Sequence, residues 1–225
     1  MNILVCGDSH TDVFKYNKTD NDFNFHICSV GGATAQGAVN PNSKTDSLRI
    51  FTGKIKNTKI KYDKILIMLG EVDCGFVIWV RSKRYNISVD EQLDNSIQNL
   101  FTFIKNIIET TNYQSSDIIV CGSILPTIKD STDKKYLNGA RSEVDVSQKI
   151  RTEKTLEYND KLKKISNELG YYYIEITKYI IGDDGLVNPE FRNKDPFNHH
   201  LDDAKAYHVW LTEIKQIISN EHKQK

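Results

Sequence analysis

Three short apolar runs in this chain each end abruptly at a glycine: Ile3-Leu4-Val5-Cys6-Gly7, Ile65-Leu66-Ile67-Met68-Leu69-Gly70 and Ile118-Ile119-Val120-Cys121-Gly122. Unbroken apolar runs of this length, rich in β-branched residues, suit strands covered on both faces, as in a parallel sheet. Phe23 to Val30 and Tyr171 to Ile176 read as two further strands. Between the runs lie helical patterns: Asp46 to Asn57, a long stripe after the capping box Ser88-Val89-Asp90-Glu91, and Val146 to Leu169 ending at Gly170. A last amphipathic helix follows Asp202 and carries Tyr207, Trp210, Ile214 and Ile218. Strands alternating with helices require right-handed crossovers. The predicted fold is an α/β, three-layer α/β/α sandwich with a five-stranded parallel, flavodoxin-like sheet.

One domain spanning 1–225 is expected at this length. Residues 123–147 lack a strong period, and a connection this long, leaving the carboxyl end of a strand, predicts a lid over the site or an interface between subunits of a homo-oligomer. The 30 basic and 30 acidic residues balance, so no strong field favours nucleic acid or an anionic membrane. The first apolar run is too short for a secretory signal and no segment approaches a membrane span, which predicts a cytoplasmic protein. Cys6, Cys28, Cys74 and Cys121 are scattered without a C-x-x-C pair, which argues against disulfides and a zinc site. The turn Gly182-Asp183-Asp184-Gly185 lacks the regularly spaced oxygen ligands of a calcium loop. No cofactor and no metal are expected.

In an open α/β sheet, ligands are met at the carboxyl ends of the strands. Gly7-Asp8-Ser9-His10 leaves the first strand on a turn that exposes the Ser9 hydroxyl, either as a helix cap or as a nucleophile beside free backbone N–H groups. Gly31-Gly32-Ala33-Thr34 leaves the second strand, and no Gly-Lys-Ser/Thr follows it, so a nucleotide loop is disfavoured. Gly70-Glu71-Val72-Asp73-Cys74 leaves the third, and Glu71 and Asp73 read as caps, loop-orienting groups or ligands for sugar hydroxyls. Phe76 to Val80 runs into the basic stretch Arg81-Ser82-Lys83-Arg84-Tyr85. This reads as a helix end favoured by the macrodipole, or as a substrate wall with Trp79 or Tyr85 stacking on a sugar and Arg81 or Arg84 holding an anionic group. Arg141, Lys149 and Arg151 read as solvated. Asp195-Pro196-Phe197-Asn198-His199-His200-Leu201-Asp202 precedes the last helix. A metal site from His199, His200 and Asp202 is disfavoured, because adjacent histidines on a short loop rarely reach one ion.

These four blocks, in this order, resemble those of the SGNH (GDSL) hydrolase superfamily, and the resemblance covers nearly the whole chain. It implies that Ser9 is the nucleophile, that the N–H groups of Ser9 and Gly32 form an oxyanion hole, and that a late His and Asp complete a triad. The third block of that family is Gly-x-Asn-Asp, whereas Val72 stands here at the Asn position and cannot donate. In this the chain resembles a variant branch with a Gly-Glu-Ile/Val-Asp-Cys third block. The final block of the family is Asp-x-x-His, a spacing absent here, since Phe197 stands three before His200 and Pro196 three before His199. Asp195, the nearest upstream carboxylate, is the expected orienting acid. His200, next to Leu201 and the helix, is the expected base, with His199 as the alternative. Asp8, His10, Glu71, Asp73 and Arg81 are candidate substrate-binding residues. The resemblance implies a serine esterase or acyl hydrolase that removes a short acyl group, acetyl by expectation, from a carbohydrate or small ester. An O-acyltransferase acting on a sugar and a non-catalytic binding module are the alternatives.

Overall fold

A computed structural model describes residues 1–16 and 22–224, with side chains through 221. The chain runs β1 (Asn2–Gly7), a 3-10 helix (Ser9–Tyr16), β2 (Asn24–Ser29), α1 (Ser47–Lys56), β3 (Lys64–Met68), a π-helical turn (Asp73–Val77) and α2 (Ile78–Tyr85). There follow α3 (Val89–Thr110), β4 (Ile118–Cys121), α4 (Ala140–Glu143), α5 (Gln148–Glu168), β5 (Tyr172–Ile174), α6 (Thr177–Ile180) and α7 (Asp203–Gln224). The five strands form one parallel sheet in the order β2-β1-β3-β4-β5, with Cys6 opposite Cys28 and Ile67 opposite Val120. This is the flavodoxin-like order expected from the alternation of elements.

The pleat explains why the strands are apolar throughout. Leu4, Cys6, Ile65, Ile67, Ile118 and Val120 point to one face, where α1, α3 and α5 cover them with Phe51, Leu100, Phe103, Tyr158 and Leu162. Ile3, Val5, Leu66, Met68, Ile119 and Cys121 point to the other, under Phe14 of the 3-10 helix, Ile180 of α6 and Tyr207, Trp210 and Ile214 of α7. α3 starts where its capping box predicts, with Ser88 Oγ accepting from Glu91 N at 3.1 Å. Each predicted strand is present: β1 spans its whole apolar run, β2, β3 and β4 match theirs to within one or two residues at either end, and β5 is three residues shorter than Tyr171 to Ile176.

Beyond β4 the chain continues extended and buried from Ser123 to Ile128. The following segment closes a third small core, in which Leu137 and Val144 meet Phe76 and Ile128. Arg151, expected to be solvated, is 4% exposed; it donates to the carbonyls of Ile128 (2.7 Å) and Val146 (3.2 Å) and so holds both ends of this segment. Among the described residues no helix is long and apolar enough to cross a membrane. The four cysteines are buried and free.

Candidate active site

The order of the strands reverses between β1 and β3, so the loops leaving these two strands part and open a crevice at their carboxyl ends. The loops of Ser9 and of Glu71 to Asp73 lie there. Gly7 makes their approach practicable. A Cβ at that position would fall 2.0 Å from the carbonyl oxygen of Met68, so only glycine lets β1 turn this close to β3. Ser9 then begins the 3-10 helix, half-buried.

The Ser9 hydroxyl meets His200. Ser9 Oγ donates to His200 Nε2 at 2.8 Å. His200 Nδ1 donates to Asn198 Oδ1 at 2.7 Å, and the same oxygen accepts the His200 backbone N–H at 2.9 Å. The Asn198 amide therefore fixes the tautomer that leaves the Nε2 lone pair facing the hydroxyl. Asp195, expected in this role, does not reach His200. It is exposed, its carboxylate accepts from Phe197 N (3.0 Å) and its carbonyl from Asn198 N (3.1 Å), so it shapes the turn that presents Asn198. Asn198 is a residue the sequence reading missed, because only carboxylates were considered. Its signal was an Asx turn, an Asn two residues before the histidine whose N–H it accepts.

His199 faces elsewhere. Arg141 Nη2 donates to its Nε2 at 2.6 Å, and Thr127 Oγ1 donates to its carbonyl at 2.8 Å. Burial, then the charges of His10 and Arg141, push the His199 pKa down to about 2, so the ring is neutral and acts as an acceptor. His200 is lowered to about 4, first by burial and then by the charge of His10.

Behind the histidines lies a buried ionic cluster. His10 Nδ1 donates to Asp8 Oδ1 at 2.8 Å and lies 3.7 Å from Glu71 Oε2. Burial alone would lower the His10 pKa, but the charges of Glu71 and Asp8 outweigh it and raise the value to about 9. His10 is therefore an imidazolium at neutral pH, with its ring centroid 4.5 Å from that of His200. Burial raises Glu71 to about 7, against the opposing pull of His10. Burial likewise raises Asp73 to about 6. Asp8, His10, Glu71 and Asp73, expected to bind substrate, are at most 6% exposed, and where they are bonded their partners are protein groups. Asp73 Oδ2 accepts from Ala35 N at 2.9 Å and ties the third block to the glycine loop. Arg81 is half-buried on α2 and makes no ion pair among the described residues. Trp79 donates its indole N–H to the Cys74 carbonyl at 2.7 Å, bracing the π-helical turn instead of presenting a stacking face.

The backbone N–H groups of Ser9 and Gly32 donate to no protein acceptor among the described residues. Gly32 is exposed and sits at φ +71, which a side chain would strain. Val72 is buried and supplies no donor. Ligand atoms of His10, His199 and His200 lie within 4.8 Å of one another, so a cation there is conceivable by distance. It would have to displace Ser9 from His200 and sit against the Arg141 guanidinium, so the donor set fits hydroxyl activation better than a metal.

No protein-family model and no curated protein matches the chain. Known structures do. A GDSL-like lipase from Bacteroides thetaiotaomicron superposes with a TM-score of 0.58 at 14% identity, covering 98% of this chain and 88% of that one. The aryl esterase of M. smegmatis gives 0.60 at 14%, covering 97% and 98%. A carbohydrate acetylesterase family member from Sinorhizobium meliloti gives 0.59 at 12%, covering 96% of each. Over nearly its whole length, the chain has the fold that this lipase and these two esterases share.

Proposed function

We propose that this protein is an SGNH-type serine esterase that removes a short acyl group, acetyl in the simplest case, from a carbohydrate or small ester. The observation that carries the reading is the linear relay Ser9–His200–Asn198, with contacts of 2.8 and 2.7 Å. Structural neighbours that are aryl and carbohydrate esters' hydrolases support the same class.

In this reading Ser9 Oγ attacks the ester carbonyl carbon while its proton passes to His200 Nε2. The carbonyl oxygen becomes an oxyanion that receives the free N–H groups of Ser9 and Gly32. The C–O bond to the leaving alcohol breaks, and His200 returns the proton to that oxygen. Water then attacks the acyl-Ser9 ester by the reverse sequence and releases the acid. A neutral His200 is ready to accept a proton at pH 7, but Asn198 orients the ring without a charge to stabilise the imidazolium. The side-chain donor that Val72 cannot supply is typically worth about 100- to 1,000-fold in rate. Both features predict a slow enzyme.

The test is turnover of 4-nitrophenyl acetate. Ser9→Ala and His200→Ala are each expected to lower kcat by about 1,000-fold or more. Equal turnover by Ser9→Ala would overturn the reading. Adding a sugar acceptor and measuring acyl-sugar against free acid separates hydrolysis from transfer, since both proceed through the same acyl-enzyme.

A further inference from the structure

A cavity of about 360 Å³ lies beside the histidine pair, walled by Phe76, Leu137 and Val144. Phe76 of its wall links it to the reaction centre through His199: the Phe76 ring is 6.3 Å from that of His199, which is 4.1 Å from that of His200. Four cations line it, and two of them are taken. Lys134 is paired with Asp145, and Arg151 is engaged by two carbonyls, with Asp130 3.9 Å away. Arg141 is different. It stacks on Phe76 with its guanidinium carbon 5.1 Å from the ring centroid, and its one hydrogen bond among the described residues is to neutral His199. No carboxylate lies within ion-pair distance of it among the described residues, and its Nε is buried with no acceptor. Glu71 feels the charge of Arg141 but stays beyond pairing range, buried behind His10. Lys129 lines the same cavity, also without an ion-pair partner among the described residues.

A half-buried guanidinium whose remaining donors have no anion is costly unless something supplies one. The planar fork matches a carboxylate or phosphate in a bidentate fashion. We infer that the natural ester carries an anionic group, a carboxylate or a phosphate, which Arg141 binds in this cavity while the ester carbonyl lies at Ser9. This rests on the esterase reading and adds the substrate class. Sequence reasoning had placed an anion-binding role on Arg81 or Arg84, but Arg84 is exposed and pairs with Glu143 at 3.2 Å.

The experiment compares kcat/KM for paired esters: neutral 4-nitrophenyl acetate with mono-4-nitrophenyl succinate, and neutral 4-acetoxybenzamide with 4-acetoxybenzoate. The first pair places the charge on the acyl side, the second on the alcohol side. The wild-type protein is expected to favour the anionic member of at least one pair. Arg141→Gln is expected to lower that anionic-to-neutral ratio by about 10- to 100-fold, chiefly through KM, and Arg141→Lys to keep part of it. No preference in the wild type, or a ratio that Arg141→Gln leaves within about threefold, would overturn the inference. If Ser9 proves inactive on every ester, titration calorimetry on Ser9→Ala decides separately. That variant should bind 4-acetoxybenzoate more tightly than 4-acetoxybenzamide and lose the difference in Ser9→Ala/Arg141→Gln. Equal binding of the two would overturn the anion site independently of catalysis.

Discussion

In the proposed mechanism the residue that most changes the chemistry is Asn198. A carboxylate beside a catalytic histidine both holds the ring and stabilises the charge it acquires, whereas an amide only holds it. Burial first, then the His10 imidazolium 4.5 Å away, with no compensating anion on Nδ1, keep His200 from protonation down to about pH 4. The acid limb of kcat/KM should therefore lie near pH 4, activity being lost as pH falls and the base takes a proton. Asn198→Asp is expected to move that limb upward by about one to three pH units, since a buried anion favours the imidazolium. Asn198→Ala should lower kcat by about 100-fold or more by freeing the ring to choose the wrong tautomer. A pH–rate profile of the three proteins checks both. The four blocks in sequence pointed to Ser9, Gly32 and the histidine pair by order alone. The choice of Asp195 as the nearest upstream carboxylate did not find the partner of His200, because the chain satisfies that ring through the tight Asx turn of Asn198, which reads in sequence as an ordinary loop residue.

Among the elements, the loops leaving the strands carry the proposed site, and the charges of Asp8, His10, Glu71 and Asp73 on them are buried. Asp73, which follows a strand end, reads in sequence as a cap, a loop-orienting group or a ligand for sugar hydroxyls. In the fold the π-helical turn draws it inward to hold Ala35 N. Asp73→Ala should leave that buried N–H unpaired, cost about 1–3 kcal/mol of stability, and lower kcat more than it raises KM by loosening the glycine loop. Arg151 shows the same limit of sequence reasoning. A basic residue on an exposed-looking helix start was taken as solvated, yet it bonds the carbonyls of Ile128 and Val146. Arg151→Ala should destabilise the protein by about 2–4 kcal/mol and raise amide hydrogen exchange across 129–147 ahead of the sheet. We propose that this segment serves as one wall of the substrate cleft, because Arg141 within it and Thr127 just before it both reach His199.

For the whole molecule, the fold was legible because the signal is redundant. Five apolar runs and four helical patterns all demanded the same layered sheet, and the core is built from those same residues. The ionic cluster was not legible, because charge burial depends on contacts between residues as distant as His10 and His199. That cluster has a global consequence. His10 titrates at about 9 in the fold and at 6.5 as a free side chain, so the folded state keeps a proton that the unfolded chain has released. The stabilisation is fully present below pH 6.5 and is lost as pH rises through about 9, an effect of roughly 3 kcal/mol. Thermal unfolding midpoints should fall across that interval, and His10→Gln, less stable at neutral pH, should show a flatter alkaline limb.

All of this turns on whether Ser9 is an activated nucleophile. Intact-protein mass spectrometry after exposure to a fluorophosphonate measures that most directly. A single adduct mapped to Ser9, absent in Ser9→Ala and strongly slowed in His200→Ala, is the predicted result. A wild-type protein that stays unmodified at Ser9 while a known serine esterase labels under the same conditions would contradict the account.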